Sequence, residues 1–191
     1  MRNKIIIFLI FILFSGCNLK QESIAINHYS IDFKTKKVVD KPKYNSIFIE
    51  ETQVNRAFNL TSIFYSQKDY KFEEYAKNRW INLPSNMVYN QIIDSFNSSD
   101  LYDTVLTKDR KLDFEYLLKS EIIKLYQVFE QDKSYAIIKV NFDLIKDKKV
   151  VKSYSFDKKI LCKTNDAYGF VEATNKGLEE TINTLLKQLA N

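Results

Sequence analysis

The clearest pattern in this chain is an alternation. Ala136, Ile138, Val140, Phe142 and Leu144 are separated by Ile137, Lys139, Asn141 and Asp143. Side chains along a strand point to opposite faces, so this segment predicts a strand with one apolar face. Val150, Tyr154, Phe156 and Ile160 continue the pattern beyond a turn at Asp147-Lys148-Lys149. Residues 130–133 supply an earlier turn, and residues 116–161 together predict an antiparallel meander. Shorter strands are predicted at 28–33, where Tyr29, Ile31 and Phe33 share a face, at 46–54 and at 101–106. Residues 62–66 and 70–76, on either side of Gln67-Lys68-Asp69, predict a hairpin.

Two segments carry the helical period instead. Pro84 suits a first helical turn because its missing N–H has no partner there anyway. Val88, Ile92 and Phe96 then recur every four residues, widened by Tyr89 and Ile93, and Asn97-Ser98-Ser99-Asp100 ends the run. Near the end of the chain Val171, Thr174, Leu178, Ile182, Leu185 and Leu189 form a second stripe at steps of three and four. Gly177 lies inside it at a cost of about 1 kcal/mol relative to alanine, which predicts a close approach of helix and sheet. The expected fold is α+β: an antiparallel sheet with two main helices packed on one face, a two-layer sandwich.

The first residues follow a different logic. Arg2 and Lys4 precede an unbroken apolar run over residues 5–14, then Ser15, Gly16 and Cys17. A basic start, a short apolar stretch and small residues at the end predict a secretory signal. Ten apolar residues fall short of the roughly 20 that a membrane-spanning helix needs. Phe14-Ser15-Gly16-Cys17 resembles the lipobox of bacterial lipoproteins, with Phe14 where leucine is preferred. The resemblance implies cleavage between Gly16 and Cys17, acyl chains on Cys17, and outer-membrane sorting, since Asn18 stands where aspartate favours inner-membrane retention. The implied organisation is a signal over 1–16, a lipidated tether over 17–27 and one domain over 28–191. The implied location is the periplasmic face of the cell envelope.

Composition narrows the chemistry. The 191 residues include three glycines, two prolines and 45% apolar residues, which excludes general disorder and a linker-rich chain. The net charge of +5 loses Arg2 and Lys4 with the signal. The cationic runs at 34–37 and 146–149 are short and sit beside acids, so they predict solvated turns, with no nucleic-acid partner. His28 is the lone histidine, and no metal site or cofactor is expected. There is no G-x-S-x-G, C-x-x-C, H-E-x-x-H or phosphate-binding glycine loop. Glu73-Glu74 and Glu179-Glu180 are sequence neighbours whose side chains diverge, unlike a catalytic pair facing one bond. Cys162 reads as a buried, inert thiol at a strand end. The expectation is a non-enzyme. Among 12 Tyr and 14 Phe, Tyr126, Phe129 and Tyr135 flank the 130–133 turn and are the candidate apolar contact for a partner or a lipid.

Several segments, taken in order, resemble the ABC-type transport auxiliary lipoprotein family. They are Tyr29-Ser30-Ile31; Tyr75-Ala76-Lys77-Asn78-Arg79-Trp80 with Leu83-Pro84 and Met87; Tyr126-Gln127-Val128-Phe129 with Ser134-Tyr135-Ala136; Phe156; and Gly169-Phe170-Val171-Glu172-Ala173 with Asn175 and Leu178. Asp100 departs from the glycine common in that family after the first helix. The resemblance implies a non-catalytic auxiliary subunit beside an Mce-domain protein with its ABC permease and ATPase, moving phospholipids or other lipids across a Gram-negative envelope. It leaves a homo-oligomer and direct phospholipid contact open. The alternative is an outer-membrane assembly or structural lipoprotein supporting a barrel or an envelope complex.

Overall fold

The computed structural model describes residues 25–108 and 113–191. The signal over 1–16, Cys17 and most of the expected tether lie outside the described residues.

The sheet is built around one long strand. β7 (Tyr116–Glu130) pairs antiparallel with β8 (Lys133–Lys146), and β8 pairs antiparallel with β9 (Lys149–Leu161). This is the meander that the alternation predicts. At about 3.3 Å per residue, β7 is some 50 Å long, and its other edge takes three strands in succession. β2 (Tyr44–Ile49) pairs along Tyr116–Leu118, β3 (Gln53–Val54) along Glu121 and Ile122, and β4 (Ser62–Lys68) along Gln127 and Val128, all parallel to it. The expected strand over 46–54 is thus two strands, broken at residues 50–52. β6 (Tyr102–Leu106) extends the β2 side, and β5 (Lys71–Trp80) then β1 (Asn27–Tyr29) extend the β4 side. The two-layer α+β arrangement therefore stands, with parallel and antiparallel pairings mixed in its sheet.

Both helices lie on one face. α1 (Pro84–Ser99) begins at its proline and buries Val88, Ile92 and Phe96. Asp100 closes it in the left-handed conformation (φ 55°) and pairs with Lys37 at 3.0 Å. Helices commonly end on glycine in this conformation, and here Asp100 takes that position. α2 (Ala167–Ala190) is capped by Asp166, whose carboxylate accepts from the Gly169 N–H at 2.8 Å. Leu178, Ile182, Leu185 and Leu189 are buried against the sheet. A Cβ on Gly177 would lie 2.6 Å from Ile138 Cδ1 and 3.1 Å from Ile160 Cγ1. The predicted close approach of helix and sheet is therefore present. Ala136, Ile138, Val140, Phe142 and Leu144 are all buried. No helix among the described residues is long and apolar enough to cross a membrane.

Two local expectations change. The 28–33 strand is confined to β1, although Ile31 is still buried; Asn27, expected in the tether, is its first residue. The hairpin turn is Asp69-Tyr70, one to two residues later than expected, because Lys68 pairs with Lys71. Tyr70, expected in a strand, sits in the turn at φ 66°.

Candidate functional site

Register decides the fate of the expected aromatic contact. Directly paired residues of an antiparallel ladder share a face. Tyr126 pairs with Ile137 and Val128 with Tyr135, while Phe129 pairs with Ser134. Tyr126 and Tyr135 therefore share the helix-free face, and Phe129 points to the helix-bearing face with Ala136 and Ile138. The turn brings all three close in sequence and the pleat separates them.

Each finds partners that sequence spacing did not signal. On the helix-free face Tyr126 stacks on Phe58 (5.6 Å) and meets Phe72 edge-on (5.0 Å). Phe58 is buried although it lies in the connection between β3 and β4. Burial raises the Tyr126 phenol above its ordinary range. Tyr135 carries Lys159 Nζ at 4.4 Å over its ring. On the other face Phe129 packs on Tyr65 (5.8 Å), and Tyr65 on Tyr75 (4.7 Å). The Tyr75 hydroxyl donates to Gln127 Oε1 at 2.5 Å, and Gln127 Nε2 donates to Ser134 Oγ at 2.8 Å. Gln127 is fully buried, so this chain of hydrogen bonds satisfies its amide inside the sheet.

These groups converge on one rim. β4 runs parallel to β7, with Ser66 beside Val128, so the Asp69-Tyr70 turn and the 130–133 turn stand at the same end of the sheet. β9 ends there too, because Leu161 pairs with Tyr135. Tyr70 is fully exposed, and Phe72 and Leu161 are about half exposed.

A second feature occupies the opposite end. Tyr44, Tyr102 and Tyr116, with Leu144, Lys146, Val151, Lys152 and Leu189, line a cleft of about 210 Å³. The Tyr44 and Tyr102 rings are 5.1 Å apart, and Tyr44 and Tyr116 5.3 Å apart. Glu115 and Lys146 pair at 2.8 Å beside it. That bond holds the Glu115 carboxyl below its usual range and the Lys146 ammonium above its own. The Tyr102 hydroxyl is buried and makes no hydrogen bond among the described residues. Its phenol is pushed well above the ordinary range, first by burial and then by the neighbouring Tyr44, Tyr116, Tyr154 and Glu115.

The remaining chemistry is placed on surfaces. A groove of about 540 Å³ crosses the helix-free face between Glu50, Lys119, Lys139, Asn141 and Asp143. Its polar groups meet one another: Ser153 Oγ donates to Asp143 at 2.5 Å and Ser155 Oγ to Asn141 at 2.8 Å. Glu73 pairs with Lys71, Glu74 accepts from Ser62, and Glu180 pairs with Lys158. His28 is exposed on β1 opposite Arg79. Among the described residues no three His, Cys, Asp or Glu side chains gather as metal ligands. Cys162 is buried, and burial raises its thiol, so the inert reading of the sequence agrees with its surroundings. Gly16 and Cys17 lie outside the described residues.

No family model matches this chain. No curated protein matches it either. Its fold is similar to that of protein XCC0632 from Xanthomonas campestris, described with the family model DUF330. That match has a TM-score of 0.76 at 15% identity and covers 85% of this chain and 94% of the other. It is similar to an uncharacterised protein with a TM-score of 0.68 at 10% identity, covering 86% and 98%. A hypothetical protein, CT253, from Chlamydia trachomatis follows at 0.51 and 9% identity, covering 78% and 99%. At these identities the likeness is one of fold. It corrects the resemblance drawn from the ordered segments. The first two of these structures are described by the model DUF330 and as an uncharacterised protein, not as Mce or ABC-transport components, and the chain is not assigned to that transport family.

Proposed function

We propose that this chain is a lipid-anchored envelope protein whose folded domain works without chemistry of its own, as a structural or docking element held beside a membrane. The observation that carries this reading is the order Arg2, Lys4, apolar residues 5–14, then Phe14-Ser15-Gly16-Cys17. Acyl chains on Cys17 attach the protein, since each buried methylene contributes about 0.8 kcal/mol and more than one chain is needed for stable attachment. Asn18 supports placement at the outer membrane, facing the periplasm. The non-catalytic reading is supported by the surface ion pairs that occupy Glu73 and Glu180. Supporting an envelope complex from the membrane surface fits a domain whose helices cover one sheet face and leave the other open.

Metabolic labelling with an alkyne palmitate analogue tests the anchor. The parent chain takes up label and the Cys17→Ala chain does not. Equal labelling of the two, or none of either, overturns the reading.

A further inference from the structure

The tip of the β4–β5 hairpin has a residue its backbone does not favour. Tyr70 adopts φ 66°, the left-handed region where glycine and asparagine are at ease and a bulky side chain is uncommon. Its ring gains no burial in return, because it is fully exposed. Phe72, two residues on, is 47% exposed although one edge packs on Tyr126 and Phe58. Lys68 and Lys71 flank the turn. Aromatic rings beside lysines, here Tyr70 and Phe72 on either side of Lys71, suit the boundary of a bilayer, where rings sit at headgroup level and lysine stems lie along apolar surface with their ammonium groups in water.

The direction of the chain says which surface this tip meets. β1 runs parallel to β5, with Asn27 beside Asn78, His28 beside Arg79 and Tyr29 beside Trp80. β5 starts at the tip and runs away from it, so β1 also runs away from it. The chain therefore joins the sheet from the tip side. Phe72 and Asn78 are six strand residues apart, roughly 20 Å. The ten residues from Cys17 to Asn27 can span at most about 33–36 Å. An anchor at Cys17 can lie in the same plane as Tyr70 without pulling the domain apart.

From this geometry we infer that the hairpin tip, through Tyr70 and Phe72, rests in the headgroup region of the membrane that holds the acyl chains, so that the anchor and the rings fix the domain's orientation together. This rests on the proposed anchor at Cys17. The other end of the sheet, with Val150 and the tyrosine cleft, then faces away from that membrane.

The test uses the acylated protein reconstituted into vesicles of phosphatidylethanolamine and phosphatidylglycerol containing lipids with brominated acyl chains. Tyr70→Trp adds a reporter at the tip and Val150→Trp one at the far end, each read against the parent, whose single Trp80 is buried. Quenching of the added emission is expected to be at least about twofold greater at the tip, as for a ring at headgroup depth. Phe72→Trp gives the same readout if Tyr70→Trp unfolds. Equal quenching at both ends overturns the inference. So does a tip emission shift that appears without lipid and grows with protein concentration, which marks a protein contact. Palmitate labelling separates the two failures. A labelled protein with no excess quenching at the tip loses only the orientation, whereas an unlabelled protein loses the anchor itself.

Discussion

Gly177 faces Ile138 across the helix–sheet interface with no room for a methyl group: its Cβ would stand 2.6 Å from Ile138 Cδ1. The glycine weakens α2 as an isolated helix and lets it settle onto β8 and β9.

Gly177→Ala is therefore expected to destabilise the domain by up to about 2 kcal/mol. The helix-propensity gain of about 1 kcal/mol is outweighed by overpacking of about 1–3 kcal/mol in a filled core. Ile138→Val removes the clashing carbon and alone costs about 0.5–1.5 kcal/mol. The double variant should be less destabilised than the sum of the two, as measured by urea unfolding in a double-mutant cycle. Strict additivity would show that the contact does not limit the interface.

Asp166 caps α2 and is held below the usual carboxylate range, first by the Gly169 N–H and then by the Thr164 hydroxyl. A depressed folded pKa means that the contribution is complete above the unfolded value of about 3.9 and is lost as pH falls through the folded one. Asp166→Asn keeps a capping oxygen without the charge. Urea midpoints should show the parent more stable at neutral pH, with the gap closing below about pH 4. Asp166→Ala should cost about 1 kcal/mol at neutral pH. A gap that persists unchanged in acid would assign the difference to shape rather than charge.

Two phenols, partly buried Tyr75 and buried Tyr102, should respond in opposite ways to loss of the hydroxyl. The Tyr75 hydroxyl donates to buried Gln127 Oε1, so Tyr75→Phe leaves that acceptor unmet at about 1–3 kcal/mol. The Tyr102 hydroxyl has no partner among the described residues, so Tyr102→Phe should be neutral or stabilising by up to about 1 kcal/mol. Thermal unfolding of the pair distinguishes them. A clear loss of stability in Tyr102→Phe would show that its hydroxyl is bonded within the cleft.

Much of the fold is local and was legible. The β8 alternation, the Pro84 start of α1, the α2 stripe and the meaning of Gly177 follow from side-chain period and backbone chemistry, which neighbouring residues carry. The candidate contact was legible only in part. Tyr126, Phe129 and Tyr135 do flank one turn, but a face is a property of register, and register belongs to the pair of strands. Phe58 and Phe72 reach Tyr126 from segments more than 50 residues away in sequence, and no periodicity links them.

The sequence by itself determined the α+β layers, the Pro84 start of α1 and the order of signal, small residues and Cys17, because each depends on a short run of residues. Tertiary structure alone decided the parallel placement of β1, β2, β3 and β4, since such pairings join residues without a local turn to announce them. It decided the seat of Tyr70 as well: the pairing of Lys68 with Lys71 sets the turn, and a one-residue change in that pairing would turn every side chain of the strand to the other face.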